Sequence, residues 1–198
     1  MAVTRGLHNF QGKIDEPYGE GGGKTRYFAI KDKETATVWF LDDLDGGTPA
    51  VDAGAGIAAH VTEHKAGKNF KRRAQCTMED EGRCYGCEMA IAHPKTQWGK
   101  TGRVYVNVLV DDGKDEPYIA VWSIAVNNNL AWDKLLETYI DDGSVADHPW
   151  KVRRSGEGTK TKWSVKMLKD EEQADFAAWD EAKYDLDTVT VTIPYEKQ

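Results

Sequence analysis

All three cysteines of this chain lie within twelve residues, and a histidine precedes the first of them by twelve positions. Cys84 and Cys87 form a C-x2-C pair, in which a short turn lets two sulfur atoms bind one ion. Cys76 and His64 would complete a Cys3His set, which is a common ligand set for tetrahedral Zn2+. Because four protein ligands close the coordination sphere, we expect one structural zinc ion with no open position for catalysis.

The fourth ligand has two alternatives, since His60 and His93 also flank the cysteines. The pattern favours His64, because residues 59–64 and 70–74 read as two strands joined by a short turn. Such a hairpin would bring His64 back toward the first cysteine. Two other interpretations of the thiols are weaker. The segments around them are too charged for a buried core, and a disulfide would leave one cysteine over.

The net charge of −7 at pH 7 argues at first against a nucleic-acid partner, but charge is distributed unevenly along the chain. Lysine and arginine exceed aspartate and glutamate by 4 in residues 60–103 and by 6 in residues 150–169. These segments predict a positive surface on an acidic protein, and the local field is what attracts phosphate. No apolar run approaches the roughly 20 residues of a membrane span, and no signal peptide is evident. We therefore expect a cytosolic protein without membrane contact, in keeping with metal-binding thiols.

An alternating pattern makes residues 103–110 the most informative predicted strand. Its four valines point to one face, which belongs in a core, because side chains alternate across a strand. The other face carries Arg103, Tyr105 and Asn107, followed by Leu109. A cation beside an aromatic ring and an amide is typical of a surface on which bases stack next to a phosphate path. The alternative is a tyrosine that covers the edge of a sheet.

The remaining pattern indicates seven or eight short strands, mostly in hairpins, and one clear helix over residues 126–140. We predict a mainly β (α+β) fold, an OB-type Greek-key barrel with an inserted zinc-binding subdomain at about residues 60–93. The barrel would span residues 26–169. A flexible arm, residues 1–25, would precede it, and residues 170–198 would form an acidic C-terminal helix and strand.

With these residues placed, the chain resembles the single-stranded-DNA-binding proteins of T-even-like bacteriophages. That family sets a zinc knuckle into an OB-fold, with a histidine at the end of a hairpin strand, a cysteine about a dozen residues later and then a C-x2-C pair. The matching positions are His64, Cys76, Cys84 and Cys87. The strand at 103–110 is similar to the family's strand after the knuckle, where an aromatic residue precedes an asparagine by two. Residues 131–134 and 148–150 add two weaker similarities.

The resemblance implies sequence-tolerant binding of single-stranded DNA during phage replication, recombination or repair, in the cytoplasm of the infected host. Phage replication proteins would be further partners. We expect phosphate contacts and base stacking from two basic regions and their aromatic neighbours. The candidate DNA-binding residues are Lys68, Phe70, Lys71, Arg72, Arg73, Trp98, Lys100, Arg103, Tyr105, Arg153, Arg154, Lys160 and Lys162.

Two other classes of function are a protein-interaction module and an enzyme. The alternative is a zinc-stabilised module that binds a replication or transcription protein and has no DNA binding of its own. An enzyme is not expected, because a zinc deaminase would need H-x-E and P-C-x-x-C. Here Lys65 and Ala66 follow the histidine, and Arg83 precedes the C-x2-C pair.

Overall fold

The computed structural model describes residues 25–66, 72–94, 98–127 and 129–190. Within these residues the chain forms nine strands and six short or medium helices. The strands are β1 (Thr35–Phe40), β2 (Asp42–Asp43), β3 (Gly56–Ile57), β4 (Ala59–Ala66), β5 (Arg72–Gln75), β6 (Lys100–Asp111), β7 (Tyr118–Ala125), β8 (Trp150–Ser155) and β9 (Lys162–Met167). The helices are α1 (Pro49–Asp52), α2 (Met78–Glu81), α3 (Tyr85–Ala92), α4 (Leu130–Asp142), α5 (Phe176–Trp179) and α6 (Leu186–Val189), with 3-10 turns at Gly158–Lys160 and Asp180–Ala182. The fold is mainly antiparallel β-sheet with helices, so the predicted mainly β (α+β) class is confirmed at that level.

The described residues form two compact units. Among the described residues, the first contains residues 25, 60–103 and 187–190, and the second contains residues 26–59 and 104–186. In the first unit β4 pairs antiparallel with β5, and His64 lies opposite Ala74. The predicted hairpin is therefore confirmed, while its turn lies outside the described residues.

In the second unit the strands follow the order β7, β6, β1, β8, β9. Residues on one face of β1, β6 and β8 are fully buried, as the alternation predicts, and they form the core together with β7. Val38, for example, lies opposite Val110 on one side and Trp150 on the other. The four valines of β6 are all inaccessible to solvent, so their predicted core role is confirmed.

This sheet is strongly curved. Trp122 of β7 and Trp163 of β9 are separated by three intervening strands, which would place them roughly 19 Å apart in a flat sheet. Their ring centroids are nevertheless 5.8 Å apart, and Phe28 packs at 5.1 Å from the first and 5.6 Å from the second. The sheet therefore bends until aromatic side chains from distant strands meet, although the described strands do not close into a hydrogen-bonded barrel.

The second face of β6 is buried as well, and that of β1 is partly covered. Residues 172–184, which we name the C-terminal strap, are bonded to it at both ends. The Trp39 indole N–H donates to the Glu172 carbonyl at 3.2 Å. At the other end the Asn107 side-chain amide and the Tyr184 backbone exchange two bonds of 3.0 and 2.8 Å. The expectation of an open stacking face is thus wrong, because Tyr105, Asn107 and Leu109 are all buried.

Two local patterns differ from the structure. Residues 26–30 have the composition of a strand, but they make a single bridge to β7, at Tyr27 opposite Val121. The helix predicted over residues 126–140 begins instead at Leu130, because the Asn129 side chain caps it by accepting from the Ala131 N–H.

The acidic C-terminal region is less regular than expected. Only α5 and a 3-10 turn occur where one helix was predicted. The predicted final strand begins as helix α6, in which Leu186 and Val189 are both buried at helical spacing, and residues 191–198 lie outside the described part. No helix among the described residues is both long and apolar enough to cross a membrane.

Candidate functional site

The first unit gathers the four predicted metal ligands. His64 lies near the end of β4, Cys76 directly follows β5, Cys84 caps the N-terminus of α3, and Cys87 lies in its first turn. Their ligand atoms all lie within 4.8 Å of one another, and three of the four residues are buried. His60 and His93, the alternatives for the fourth position, are exposed and do not belong to this cluster. The structure therefore contains a candidate metal site formed by three cysteines and His64.

The spacing of the ligand atoms fits a tetrahedral ion. Metal–sulfur bonds of about 2.3 Å and metal–nitrogen bonds of about 2.0 Å place two sulfurs about 3.8 Å apart, and a sulfur and a nitrogen about 3.5 Å apart. The Cys76 and Cys87 sulfurs are separated by 3.6 Å. The Cys87 sulfur lies 3.4 Å from His64 Nε2. Both distances are those that one small ion at the centre of the set would require.

A backbone carbonyl sets the tautomer of the histidine. His64 Nδ1 lies 3.0 Å from the Trp98 carbonyl oxygen. A carbonyl can only accept a hydrogen bond, so Nδ1 carries the proton and the lone pair on Nε2 faces the sulfurs. This is the usual outer-shell arrangement of a metal-binding histidine. The Trp98 ring in turn packs edge-on against Tyr85 at 5.4 Å, so the residue predicted to stack on bases serves here to support the ligand set.

Two further residues shape the metal loop. A Cβ atom on Gly86 would lie 2.6 Å from His64 Cδ2 and 2.9 Å from His64 Cβ, so only glycine lets α3 approach the ring this closely. The buried Thr77 hydroxyl donates to the Arg83 carbonyl at 2.7 Å. That bond joins the residue after Cys76 to the residue before Cys84, and it closes the loop between them.

The electrostatics of the cluster favour a cation. Burial acts to raise the pKa of Cys84, but hydrogen bonds from the backbone of Cys87 and Thr77 outweigh it, and the pKa of Cys84 is lowered. The pKa of Cys87 is raised to about 12 by burial, by its hydrogen bond with Cys76 and by the negative charges of Cys84 and Cys76. The protein groups by themselves thus disfavour a thiolate at Cys87, and a divalent cation would remove that penalty.

Two predicted DNA-binding arginines of this unit have an internal partner. Arg103 and Arg73 both lie 3.7 Å from a carboxylate oxygen of the buried Glu63. Only 11% of the Arg103 side chain is exposed, so its expected role as a phosphate contact is corrected to that of a counter-ion for Glu63. Arg73 is more exposed, and Lys100 is also exposed. Lys68, Phe70 and Lys71 lie outside the described residues, as does the side chain of Arg72.

In the second unit, one predicted cation is also structural. The Arg154 guanidinium donates to the Ile30 carbonyl at 2.7 Å and lies 3.5 Å from the Thr161 hydroxyl. It therefore ties the segment before β1 to the β8–β9 hairpin and does not point to solvent. Tyr105, the main predicted stacking residue, is buried with 5% of its surface exposed, so the structure does not present it to a base.

The other predicted cations belong to an exposed basic face. Lys151 and Arg153 alternate with buried residues along β8, and Lys162 and Lys166 alternate likewise along β9. Cross-strand pairing places Lys151 opposite Lys166, and Ser155 opposite Lys162, on the same outer surface. We name these four side chains the basic face. None of the four forms an ion pair with another described residue, and Lys160 lies exposed at the hairpin tip.

Lys151 and Lys166 are not among the residues that the sequence predicted to contact DNA. The register of the hairpin is what identifies them, because it puts like charges directly opposite each other. Trp39 was also missed. It lies on the same side of β1 as Thr37, whose cross-strand partner is Lys151, and it is half-buried. The alternation of apolar residues along β1 could have identified Trp39, because it places this residue on the outward face.

No protein-family model, curated protein or solved structure matches this chain.

Proposed function

We propose that this protein binds single-stranded DNA through the basic face of β8 and β9, and that zinc organises its first unit. The single observation that supports DNA binding is the arrangement of Lys151, Arg153, Lys162 and Lys166 on one exposed surface without a described carboxylate partner. Like charges opposite each other in a sheet are unfavourable unless an anion lies between them. A phosphate backbone supplies such anions in a row.

The choice of a polyanion over a protein partner rests on local charge. The whole chain carries −7, yet this hairpin exposes four cations on two neighbouring strands. A field of this kind attracts phosphate even on an acidic protein. The role would be sequence-tolerant, in phage replication, recombination or repair, in line with the resemblance stated above. The curvature of the second unit is compatible with an OB-type barrel, which remains part of the proposal.

Zinc is the ion that we propose for the first unit. Three sulfurs and one imidazole form a soft, tetrahedral donor set without an open position. His64 and Cys87 would be held by the Trp98 carbonyl and by α3, respectively. When bound, the ion would cross-link β4, β5 and α3. Its role would be structural, without a catalytic step.

Salt dependence tests the binding proposal. The zinc-loaded protein is titrated with oligo(dT) and with duplex DNA, with tryptophan fluorescence as the signal, across a series of salt concentrations. Four phosphate contacts predict a slope of about −2.8 in a plot of log affinity against log salt for the single strand. The double variant Lys151→Gln, Lys166→Gln should lower that slope by about 1.4.

Lys134→Gln is the matched control, because Lys134 is exposed in the same unit but is paired with Glu137 at 2.8 Å. Its slope should equal that of the wild type. A folded, zinc-loaded protein that binds neither DNA would refute the proposal, as would an unchanged slope in the double variant.

A protein-interaction module is the second candidate, and one observation favours it. Leu136 and Ile140 lie one turn apart on α4 and are 37% and 71% exposed. Asp133 and Glu137 border them. An exposed apolar pair with acidic neighbours is typical of a contact surface for a basic, amphipathic segment. Absence of DNA binding in the titration above would favour this function.

A further inference from the structure

One aromatic side chain lies on the outer surface of the second unit beside the basic face. In β1 the alternate residues Ala36, Val38 and Phe40 enter the core, so Thr37 and Trp39 point outward. Thr37 is the cross-strand partner of Lys151. Trp39 therefore occupies the position diagonal to Lys151, where side chains of adjacent strands are roughly 7–8 Å apart and long side chains still meet.

The orientation of the Trp39 ring is set by one hydrogen bond. Its indole N–H is its only donor, and it is satisfied by the Glu172 carbonyl at 3.2 Å. The cross-strand neighbour of Trp39 in β6 is the buried Leu109, and the residue is half-buried against the core. Trp39 is thus partly accessible to solvent, and its one polar side-chain atom is already bonded, so the accessible part can offer a ligand only apolar or aromatic contacts. Such a surface is pre-organised for stacking, because few rotamers remain to be ordered.

We propose that Trp39 is a nucleobase subsite, on which an unstacked base lies while Lys151 contacts the adjoining phosphate. This inference rests on the proposed DNA binding and assigns to one residue the preference for single strands. Phosphate contacts alone do not distinguish the strands well, since a duplex carries the same groups. The bases of a duplex are stacked on each other, whereas those of a single strand are available to an aromatic ring.

Trp39 has a competing role as a cover for the outer face, and the test separates the two. Trp39→Leu retains apolar volume without an aromatic face, and Trp39→Phe retains an aromatic face. Both lose the bond to Glu172, so they are matched in that respect. Each zinc-loaded protein is titrated with oligo(dT) and with an abasic deoxyribose-phosphate oligomer of the same length.

Trp39→Leu should weaken binding to oligo(dT) by about 5- to 150-fold, the range expected for one stacked base, and should leave binding to the abasic oligomer unchanged. Trp39→Phe should retain most of the affinity for oligo(dT). Equal losses on both probes would overturn the subsite and identify Trp39 as structural, and unchanged oligo(dT) binding in Trp39→Leu would also overturn it. A wild type that binds neither probe would instead remove the proposed function on which the subsite depends.

Discussion

Gly86→Ala is expected to damage the metal site although it changes no ligand. Gly86 lies inside α3, between Cys84 and Cys87. Alanine is the better helix former by up to about 1 kcal/mol, so propensity alone predicts a more stable protein. The new Cβ would, however, lie 2.6 Å from His64 Cδ2, against 3.4 Å or more for an ordinary contact. A gain or a loss of zinc affinity in Gly86→Ala therefore shows whether helix propensity or the close contact with His64 dominates.

The displacement decides the expected size of the effect. The ring and the helix must separate by at least about 0.8 Å to reach ordinary contact, since His64 Cγ lies closer still than Cδ2. Metal–ligand distances tolerate only about 0.2 Å. Because Cys84 and Cys87 move with α3, the separation draws His64 away from the two sulfurs. Loss of outer-shell support commonly lowers metal affinity by 10- to 100-fold, and we expect Gly86→Ala to reach at least this range.

Competition for zinc with a chromogenic chelator measures the affinity directly, and circular dichroism of each variant verifies folding. Gly99→Ala is the control in the same unit, since a Cβ there meets nothing within 4 Å. It should bind zinc like the wild type. Wild-type affinity in Gly86→Ala would refute the argument that His64 requires the close approach of α3.

Three further results are expected. Thr77→Val should lower zinc affinity by about 10-fold, since the bond to the Arg83 carbonyl that closes the metal loop is lost, and the same competition assay measures it. A strong chelator should make the first unit susceptible to a protease before the second, as followed by mass spectrometry of the early fragments, because metal binding contributes directly to folding. The pKa of Asp42 is raised from 3.8 to about 6 by burial, against hydrogen bonds from Asn107, so the folded state binds the proton more tightly. Stability should therefore fall as pH rises from about 4 to about 6, by up to about 3 kcal/mol, and the fall should be smaller in Asp42→Asn when urea unfolding is compared at pH 4.5 and 7.

The metal cluster was predictable because its chemistry is local. Four candidate ligands within 24 residues can be recognised without knowledge of the fold, and the hairpin pattern favoured His64, which lies in the cluster, over His60 and His93. The supporting Trp98 carbonyl could not be predicted in the same way. Backbone atoms have no sequence signature, and this one approaches His64 from 34 residues away.

The surface of the second unit was predicted less well, for a different reason. Alternation in β6 identified two faces and the valine core, but it could not show that residues 172–184 cover the opposite face. Tyr105 was therefore assigned to an exposed surface. Arg154 was assigned to phosphate because its charge is visible in the sequence, whereas its bond to the Ile30 carbonyl depends on a contact across 124 positions.

The C-terminal strap has a practical consequence for defining the boundaries of the folded domain. A fragment that ends with the last strand, near residue 169, would retain every strand of the second unit. It would also leave the side chains of Asn107 and Trp39 without their backbone partners at Tyr184 and Glu172. The buried Asn107 amide would then have lost its Tyr184 partners, which costs stability. A fragment of this unit designed for folding should therefore continue through Tyr184.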